Sequence, residues 1–227
     1  MALDTSIECV LFDLDGSLID TAQDFKVVLD RLTVENNRES VTTERIYQTV
    51  SDGARALVKL AFAIEEDHES FEGLNQRLLE LYYEELAQTR AMLYPGLEEL
   101  LADLDANNIP WGIVTNKPEK YTLRLLENMQ LLHRCGALVC PDHVEHRKPH
   151  PEPILKACEA LSANTERTVY VGDHLRDIQA AKNADVIAIA AAYGYLGPEA
   201  KAEEWYADFI VQEPTQIVGL LNTLKFA

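Results

Sequence analysis

The chain has 227 residues, and its 47% hydrophobic and 26% charged residues are ordinary for a globular protein. This composition excludes disordered, collagen-like and coiled-coil chains. Asp and Glu number 38 against 20 for Lys and Arg, and the resulting charge of −18 argues against nucleic acids and anionic membranes as partners. A small anionic substrate is still compatible, because one local cationic site or a bound metal can overcome the global field.

The cysteine content and the N-terminal residues both favour a reducing compartment. The four cysteines form no C-x-x-C pair and are too few for a disulfide framework. The first residues show no positive n-region and no small-residue cleavage site, and no apolar run approaches the ~20 residues that span a bilayer. We therefore expect a cytoplasmic protein without a membrane partner. Nothing in the sequence determines its oligomeric state.

Short apolar segments that end in polar or glycine-containing loops predict buried strands. Such segments lie at 7–12, 110–114, 137–140, 168–171, 186–190 and 208–211. Helical periodicity separates or follows them at 96–106, 119–129, 151–161, 175–183 and 212–225. Strands that alternate with helices of this length predict an α/β fold, with a doubly wound, mostly parallel sheet.

One stretch interrupts this alternation and predicts an inserted helical domain. From residue 18 to residue 92 we find no strand pattern, and helices are expected up to about Asn36 and at 43–50, 54–64 and 71–88. Asp20 or Thr21 is a candidate N-cap for the first of them. The expected organisation is an α/β core of residues 1–17 and 93–227 with an all-helical cap of residues 18–92. Tyr94-Pro95-Gly96 is the expected return to the core.

Four polar features follow predicted strands or adjoin the strand ends, where open α/β sheets bind ligands. Asp13 and Asp15 follow the first strand, and one carboxylate can attack phosphorus while the other transfers a proton. The other three features are Thr115-Asn116, which can donate to phosphate oxygens, Lys148 in a proline-rich loop, and Asp173 with Asp177. Asp13 and Asp173 offer the oxygen ligands that Mg²⁺ prefers.

Each feature also has a structural interpretation, since acids and Thr115 often cap helices and most lysines are solvated. Their joint occurrence in this order favours the functional interpretation.

These strings resemble the haloacid dehalogenase-like phosphatases over nearly the whole chain. FDLDGSLIDT is similar to the nucleophile motif, IVTNKP to the phosphate-hydroxyl motif, RKPHPEP to the lysine motif and VGDHLRD to the metal motif. TVSDGARALVKLAF, IPWGIVTNKP, RKPHPEP and AYGYLG resemble the phosphoglycolate phosphatases. WGIVTNKP, CPDHVEHRKPHPEP and GDHLRDI resemble the N-acetylmuramic acid 6-phosphate phosphatases of a related branch.

The resemblance implies a role for each matching residue. Asp13 would be the nucleophile and Asp15 the general acid and base, while Thr115 and Lys148 would hold the phosphoryl group. Asp173 would bind Mg²⁺ with Asp13 and the backbone carbonyl of Asp15. Asp177 would support these ligands without binding the metal itself. Three positions depart from the family pattern: Ser17 replaces a commoner Thr, His174 a Ser or Asp, and Asp185 a Gly.

The function that follows is Mg²⁺-dependent hydrolysis of a small phosphorylated metabolite, 2-phosphoglycolate or N-acetylmuramic acid 6-phosphate. Both substrates carry a carboxylate. The glycine-containing turn at Gly53 is expected to approach the substrate closely, and Arg55 after it is a candidate to bind the carboxylate. An ion pair with a cap acid is the alternative for Arg55. A phosphosugar mutase is the alternative enzyme. A hydrolytic dehalogenase would not need Asp15, and the intact set of acids disfavours an inactive binding protein.

Overall fold

The computed structural model describes residues 7–224, which form a six-stranded parallel sheet with helices on both faces. The strands are β1 (Cys9–Phe12), β4 (Trp111–Val114), β5 (Ala137–Val139), β6 (Thr168–Gly172), β7 (Ile187–Ala191) and β8 (Phe209–Val211). Their order across the sheet is β5-β4-β1-β6-β7-β8. All six predicted strands and the α/β fold class are confirmed, with ends shifted by at most two residues.

Side chains alternate between two apolar layers along each central strand. Val10 and Phe12 of β1 pack into one layer, and Cys9 and Leu11 pack into the other. The first layer contains α5 (Leu97–Ala106), α6 (Glu119–Asn128) and α9 (Gln216–Thr223), and the second contains α7 (Glu152–Leu161) and α8 (Leu175–Asn183). Burial on both faces explains why the strands are continuously apolar and not alternating.

The segment from residue 21 to residue 91 contains four α-helices, namely α1 (Ala22–Glu35), α2 (Thr43–Tyr47), α3 (Ala54–Phe62) and α4 (Phe71–Glu85). The expectation that residues 18–92 contain no strand was wrong. β2 (Ile19–Asp20) pairs antiparallel with β3 (Met92–Leu93), and this two-stranded stem is where the helical segment leaves and rejoins the core. Strands of two residues are too short to produce a detectable alternation in sequence.

The C-terminal end of the chain shows a smaller difference from the prediction. The last helix begins at Gln216 rather than at residue 212, because Pro214 disfavours helix in the residue before it. The Gln216 side chain accepts the N–H groups of Gln212 and Glu213 in that turn. Lys225, the expected end of this helix, lies outside the described residues.

Within residues 7–224, no helix has the length and apolar character that crossing a bilayer requires.

Asp185 lies just after the end of helix α8, at the position where a glycine was expected. Asp185 has a φ of +54°, and the N–H groups of Asp185 and Val186 bond back to the carbonyls of Lys182 and Ala181. This is the Schellman arrangement, whose left-handed residue is usually glycine.

We expect Asp185→Gly to raise the free energy of unfolding by about 0.5–1 kcal/mol. The left-handed conformation costs an L-residue about 1–2 kcal/mol, and the extra freedom of glycine in the unfolded chain offsets part of the gain. Urea denaturation measures the change. Asp185→Ala, which retains a Cβ atom, should show no gain, and a stability loss in Asp185→Gly would contradict the argument.

Candidate active site

The three central strands deliver polar residues to one edge of the sheet. Phe12 of β1 lies in register with Ile113 of β4 and Val171 of β6. Asp13, Thr115 and Asp173, which follow these strands, therefore emerge beside one another, and all three are buried. The strand order reverses around β1, so this edge is also the switch point at which open α/β sheets bind ligands.

Lys148 reaches the same edge from the loop that precedes α7. Its Nζ atom donates to Asp13 Oδ1 at 2.7 Å and to the Val114 carbonyl at 2.8 Å, and it lies 2.7 Å from Asp177 Oδ1. The Tyr170 hydroxyl, also 2.7 Å away, accepts from the ammonium group. Lys148 is only 2% exposed, so it is not the solvated loop residue of the alternative interpretation.

Burial and like charges control the protonation of this cluster. Burial raises the pKa of Asp13 to about 6, against the opposing effect of Lys148. Burial, together with the charges of Asp13 and Asp177, raises the pKa of Asp173 well above its usual range. Burial alone would lower the pKa of Lys148, but the carboxylates of Asp13 and Asp177 outweigh it and the net shift is upward. Three carboxylates thus share one ammonium group.

The donor set at this edge fits a metal ion. Asp13, Asp173 and Asp177 each place one carboxylate oxygen within 4.8 Å of the other two. A cation between them would relieve the repulsion that raises the pKa of Asp173. Oxygen-only donors favour a hard cation over a soft one.

Asp15 points to a different partner. Its Oδ1 atom accepts from Lys117 Nζ at 2.7 Å and from Thr21 Oγ1 at 2.5 Å. The Lys117 side chain is 7% exposed, and its ammonium group lies over the rings of Phe25 at 5.4 Å and Tyr82 at 4.9 Å. Sequence reasoning missed Lys117, although it belongs to IVTNKP, because lysine is seldom buried and its partners lie far away in the chain.

Thr115 and Asn116 order the loop after β4 and the loop before α7. Thr115 Oγ1 accepts the N–H of Lys117 at 3.1 Å, which orders the turn after β4. Asn116 Nδ2 donates to the Lys148 carbonyl at 3.1 Å and ties the two loops together. Both predicted residues therefore lie next to Lys148 or Lys117.

The backbone at Gly16 and Gly194 lies so close to Asp173 that neither position has room for a side chain. Asp173 Oδ2 accepts the N–H of Tyr195 at 2.8 Å. A Cβ atom on Gly194 would lie 2.3 Å from Asp173 Cβ and 2.4 Å from the Gly16 carbonyl oxygen. Gly16 itself has a φ of +88°, and a Cβ there would lie 2.0 Å from Asp173 Oδ2.

Tyr195 is the second residue that sequence reasoning did not single out, although AYGYLG contains it. Its hydroxyl accepts the N–H groups of Thr21 and Ala22 at 2.6 and 2.9 Å and donates to Asp20 Oδ1 at 2.6 Å. Tyr195 and Asp20 therefore cap α1, since Asp20 also accepts from Ala22 N, while Thr21 makes no side-chain cap. A strand-end loop of the core thus fixes the first helix of the inserted segment.

The inserted segment contacts the site through the turn before α3. Ser51 Oγ donates to Asp173 Oδ2 at 3.2 Å, and the Ser51 carbonyl accepts from Arg176. Asp52 Oδ1 lies 3.8 Å from His174 Nε2, and this imidazole lowers the pKa of Asp52. A cavity of about 400 Å³ is lined by Ser51 and Asp52 on one side and by Asp173 and Tyr195 on the other.

His174 and Asp177 form a capping box at the start of α8. His174 Nδ1 accepts the N–H of Arg176, and Asp177 Oδ2 accepts the N–H of His174. Asp177 also binds Lys148 with its other oxygen, so it fixes the helix end and the lysine at once. The departure at His174 therefore preserves a cap and adds a contact to Asp52.

Arg55 binds two acids of the inserted segment. Its guanidinium donates to Glu66 at 2.8 Å and to Glu72 at 2.6 Å, with the Phe71 ring 4.7 Å below it. The ion-pair alternative is therefore present in the structure. Gly53, with a φ of +86°, lies in the turn that contains Ser51, and a Cβ atom at this position would meet no other residue within 4 Å apart from its chain neighbours.

Comparisons with known proteins agree with this fold. The family model for haloacid dehalogenase-like hydrolases matches residues 10–191. An N-acetylmuramic acid 6-phosphate phosphatase from Pseudomonas putida is 38% identical over 217 residues, 96% of this chain and 97% of that protein. A phosphoglycolate phosphatase from Xanthomonas campestris pv. campestris is 38% identical over 208 residues, 92% of this chain and 93% of that protein.

Solved structures show the same fold at lower identity. A crystal structure described as a predicted phosphoglycolate phosphatase from Haemophilus somnus has a TM-score of 0.81 at 23% identity, covering 96% of this chain and 99% of that one. A hydrolase from Pseudomonas syringae has a TM-score of 0.72 at 22% identity, covering 96% and 100%.

The fold and these relatives together define a hydrolase of the α/β class, and its structure places a cluster of carboxylates and a buried lysine at the carboxyl edge of the sheet. The chain belongs to the haloacid dehalogenase-like hydrolase family. The predicted family and the predicted enzyme class are thereby confirmed.

We expect Gly194→Ala to lower kcat/KM by roughly a hundredfold, because the added Cβ must displace Asp173 or the Gly16 backbone, and a shift of about 1 Å at a reacting centre costs that much. Steady-state hydrolysis of nitrophenyl phosphate is the assay. Gly73→Ala in α4 is the control, since a Cβ atom there would meet no atom within 4 Å. Equal activities in the two variants would show that the site tolerates the displacement.

Proposed function

We propose that this protein is a Mg²⁺-dependent phosphomonoesterase that works through a phosphorylated Asp13. The observation that carries the proposal is the buried ammonium of Lys148, 2.7 Å from Asp13 Oδ1, beside the carboxylates of Asp173 and Asp177. This arrangement supplies a carboxylate nucleophile and a fixed positive charge at one point, which is what phosphoryl transfer requires. The phosphatase names of the relatives support the same reaction.

Asp13 and Asp173 would hold the metal, with the backbone carbonyl of Asp15 as the further proposed ligand. Asp177 would act through its contacts with Lys148 and the His174 N–H. When bound, Mg²⁺ would offset negative charge on the phosphoryl oxygens and on the surrounding carboxylates. Bound Mg²⁺ would also favour the ionised form of Asp13, which burial disfavours by raising the pKa of this residue to about 6.

In the first step Asp13 attacks phosphorus while the bond between phosphorus and the leaving oxygen breaks. Asp15, as a carboxylic acid, gives its proton to that oxygen, and the alcohol departs. Lys148 and donors on the Thr115-Asn116 turn stabilise the charge on the equatorial oxygens.

In the second step Asp15, now a carboxylate, takes a proton from water, and the water oxygen attacks phosphorus. The bond between Asp13 and phosphorus breaks, inorganic phosphate leaves and both acids return to their initial states. The hydrogen bonds from Lys117 and Thr21 support this role, because they orient the Asp15 carboxylate and match the form that accepts the proton.

The substrate we propose is a small phosphorylated metabolite with a carboxylate, of which 2-phosphoglycolate and N-acetylmuramic acid 6-phosphate are the two candidates. The cavity of about 400 Å³ beside Asp173 falls within the usual size range of small-molecule pockets. Phosphate release over a metabolite panel containing both compounds distinguishes them. Release without a bisphosphate activator separates hydrolysis from a mutase reaction.

We expect Asp13→Asn to abolish phosphate release while the protein stays folded, because an amide is nearly isosteric but a far poorer nucleophile. Phosphate release and circular dichroism measure the two properties, with exposed Asp103→Asn as the control. Retention of a tenth of the wild-type kcat, a barrier change of only about 1.4 kcal/mol, would reject Asp13 as the nucleophile.

Asp15→Asn should slow turnover of sugar phosphates by roughly 10²–10⁴-fold, the usual contribution of a proton-transferring group. Nitrophenyl phosphate has a good leaving group, so its first step should survive and produce a burst of nitrophenol followed by slow turnover. Rapid-quench kinetics record this burst. Equal losses on both substrates, with no burst, would argue against the acid role.

Arg55 is the proposed contact for the substrate carboxylate, in exchange for its pairing with Glu66 or Glu72. Solvent screens such exposed ion pairs, so a substrate carboxylate can replace one of these acids.

If Arg55 has this role, Arg55→Ala lowers kcat/KM for the carboxylated substrate by roughly ten- to a hundredfold and barely affects nitrophenyl phosphate. Arg77→Ala is a matched control, because Arg77 likewise pairs with two exposed acids of the segment, Glu35 and Glu80. A parallel change on both substrates, or equal effects of the two variants, would assign Arg55 to the packing of the segment alone.

A further inference from the structure

The loop that carries Lys148 holds a second group of metal-ligand side chains on its outer surface. His146, His150 and Glu152 each place one ligand atom within 4.8 Å of the other two. His146 Nδ1 lies 3.2 Å from Glu152 Oε2, and His150 Nδ1 lies 3.9 Å from the same oxygen. The proposed phosphatase reaction uses none of the three.

Backbone hydrogen bonds hold these side chains in place. The Glu152 carboxylate accepts the N–H groups of Glu145 and His146, both at 2.9 Å, and these bonds lower its pKa. His150 Nδ1 accepts the N–H of Glu152 at 3.2 Å, which leaves its Nε2 atom available to a ligand. Glu152 is therefore ionised at neutral pH, and the loop is folded back onto the first turn of α7.

The group is open to ions from solution. The side chains of His146, His150 and Glu152 are 62%, 50% and 32% exposed, so small rotations can bring their ligand atoms to bonding distance. A depression of about 550 Å³ is lined by His146 and His150, and Glu145 also lies on its wall. Water or the Glu145 carboxylate can complete the coordination.

We propose that His146, His150 and Glu152 form a second metal site, which takes a borderline transition ion such as Zn²⁺. Two imidazoles and one carboxylate with an open fourth position are a frequent Zn²⁺ ligand set, whereas Mg²⁺ prefers oxygen ligands alone. The site is chemically distinct from the oxygen-only cluster of Asp13, Asp173 and Asp177. A bound ion links His146, which precedes Lys148 in the loop, to His150 and Glu152, which follow it.

The test is isothermal titration of the purified protein with Zn²⁺ in an excess of Mg²⁺. Zn²⁺ also competes for the carboxylate cluster, so the titration is repeated in Asp173→Asn, which weakens that cluster. We expect one Zn²⁺ to bind in both proteins, and His146→Gln and His150→Gln to weaken this binding by at least roughly ten- to a hundredfold, the cost of losing even an indirect metal contact. His133→Gln, an exposed histidine outside the group, is the matched control.

A crystal soaked in Zn²⁺ gives the position directly, since anomalous scattering at the zinc edge should show a peak among His146, His150 and Glu152. Equal zinc affinity in wild type, His146→Gln and His150→Gln would overturn the proposal. So would zinc binding that disappears in Asp173→Asn alone, or no binding at all. These readouts do not involve phosphatase activity, so they stand or fall separately from the proposed function.

Discussion

The buried ammonium of Lys148 is the interaction on which the rest of the site depends. An isolated charge in the protein interior is costly, so Lys148 is tolerable only because Asp13, Asp177 and the Val114 carbonyl surround its Nζ atom. The dependence is mutual, since without Lys148 the carboxylates at the ends of β1 and β6 would repel one another with no compensating charge. The proline-rich loop and the bond from Asn116 to the Lys148 carbonyl hold the lysine at this position.

Asp173 connects this charged centre to the inserted helical segment. On the core side it accepts the Tyr195 N–H, and glycines at positions 16 and 194 make that close approach possible. On the other side it accepts from Ser51, in the turn before α3. The segment proposed to select the substrate is thus one hydrogen bond away from a proposed metal ligand. A movement of this segment would change the surroundings of Asp173 without disturbing the sheet.

The overall charge of −18 does not describe the site. Lys148 and Lys117 place two ammonium groups beside Asp13 and Asp15, each at 2.7 Å from a carboxylate oxygen. Such close, buried pairs are screened by salt far less than the surface charges are. The acidic composition disfavours nucleic acid as a partner, yet it leaves room for an anionic substrate where two lysines and the proposed metal ion offset the local carboxylates.

The sequence by itself determined the six central strands and the ends from which Asp13, Thr115 and Asp173 emerge. Hydrophobic patterning and helix length are local properties, and the common edge follows from parallel strands. Only the tertiary structure decided that Lys117 is buried against Phe25 and Tyr82 with Asp15 as its partner, and that Tyr195 caps α1. Only it revealed the two-residue strands of the stem and the acids that bind Arg55. Each of these features depends on contacts between distant parts of the chain or on segments too short to show a pattern. Composition and residue spacing are local properties, so they predict neither kind of feature.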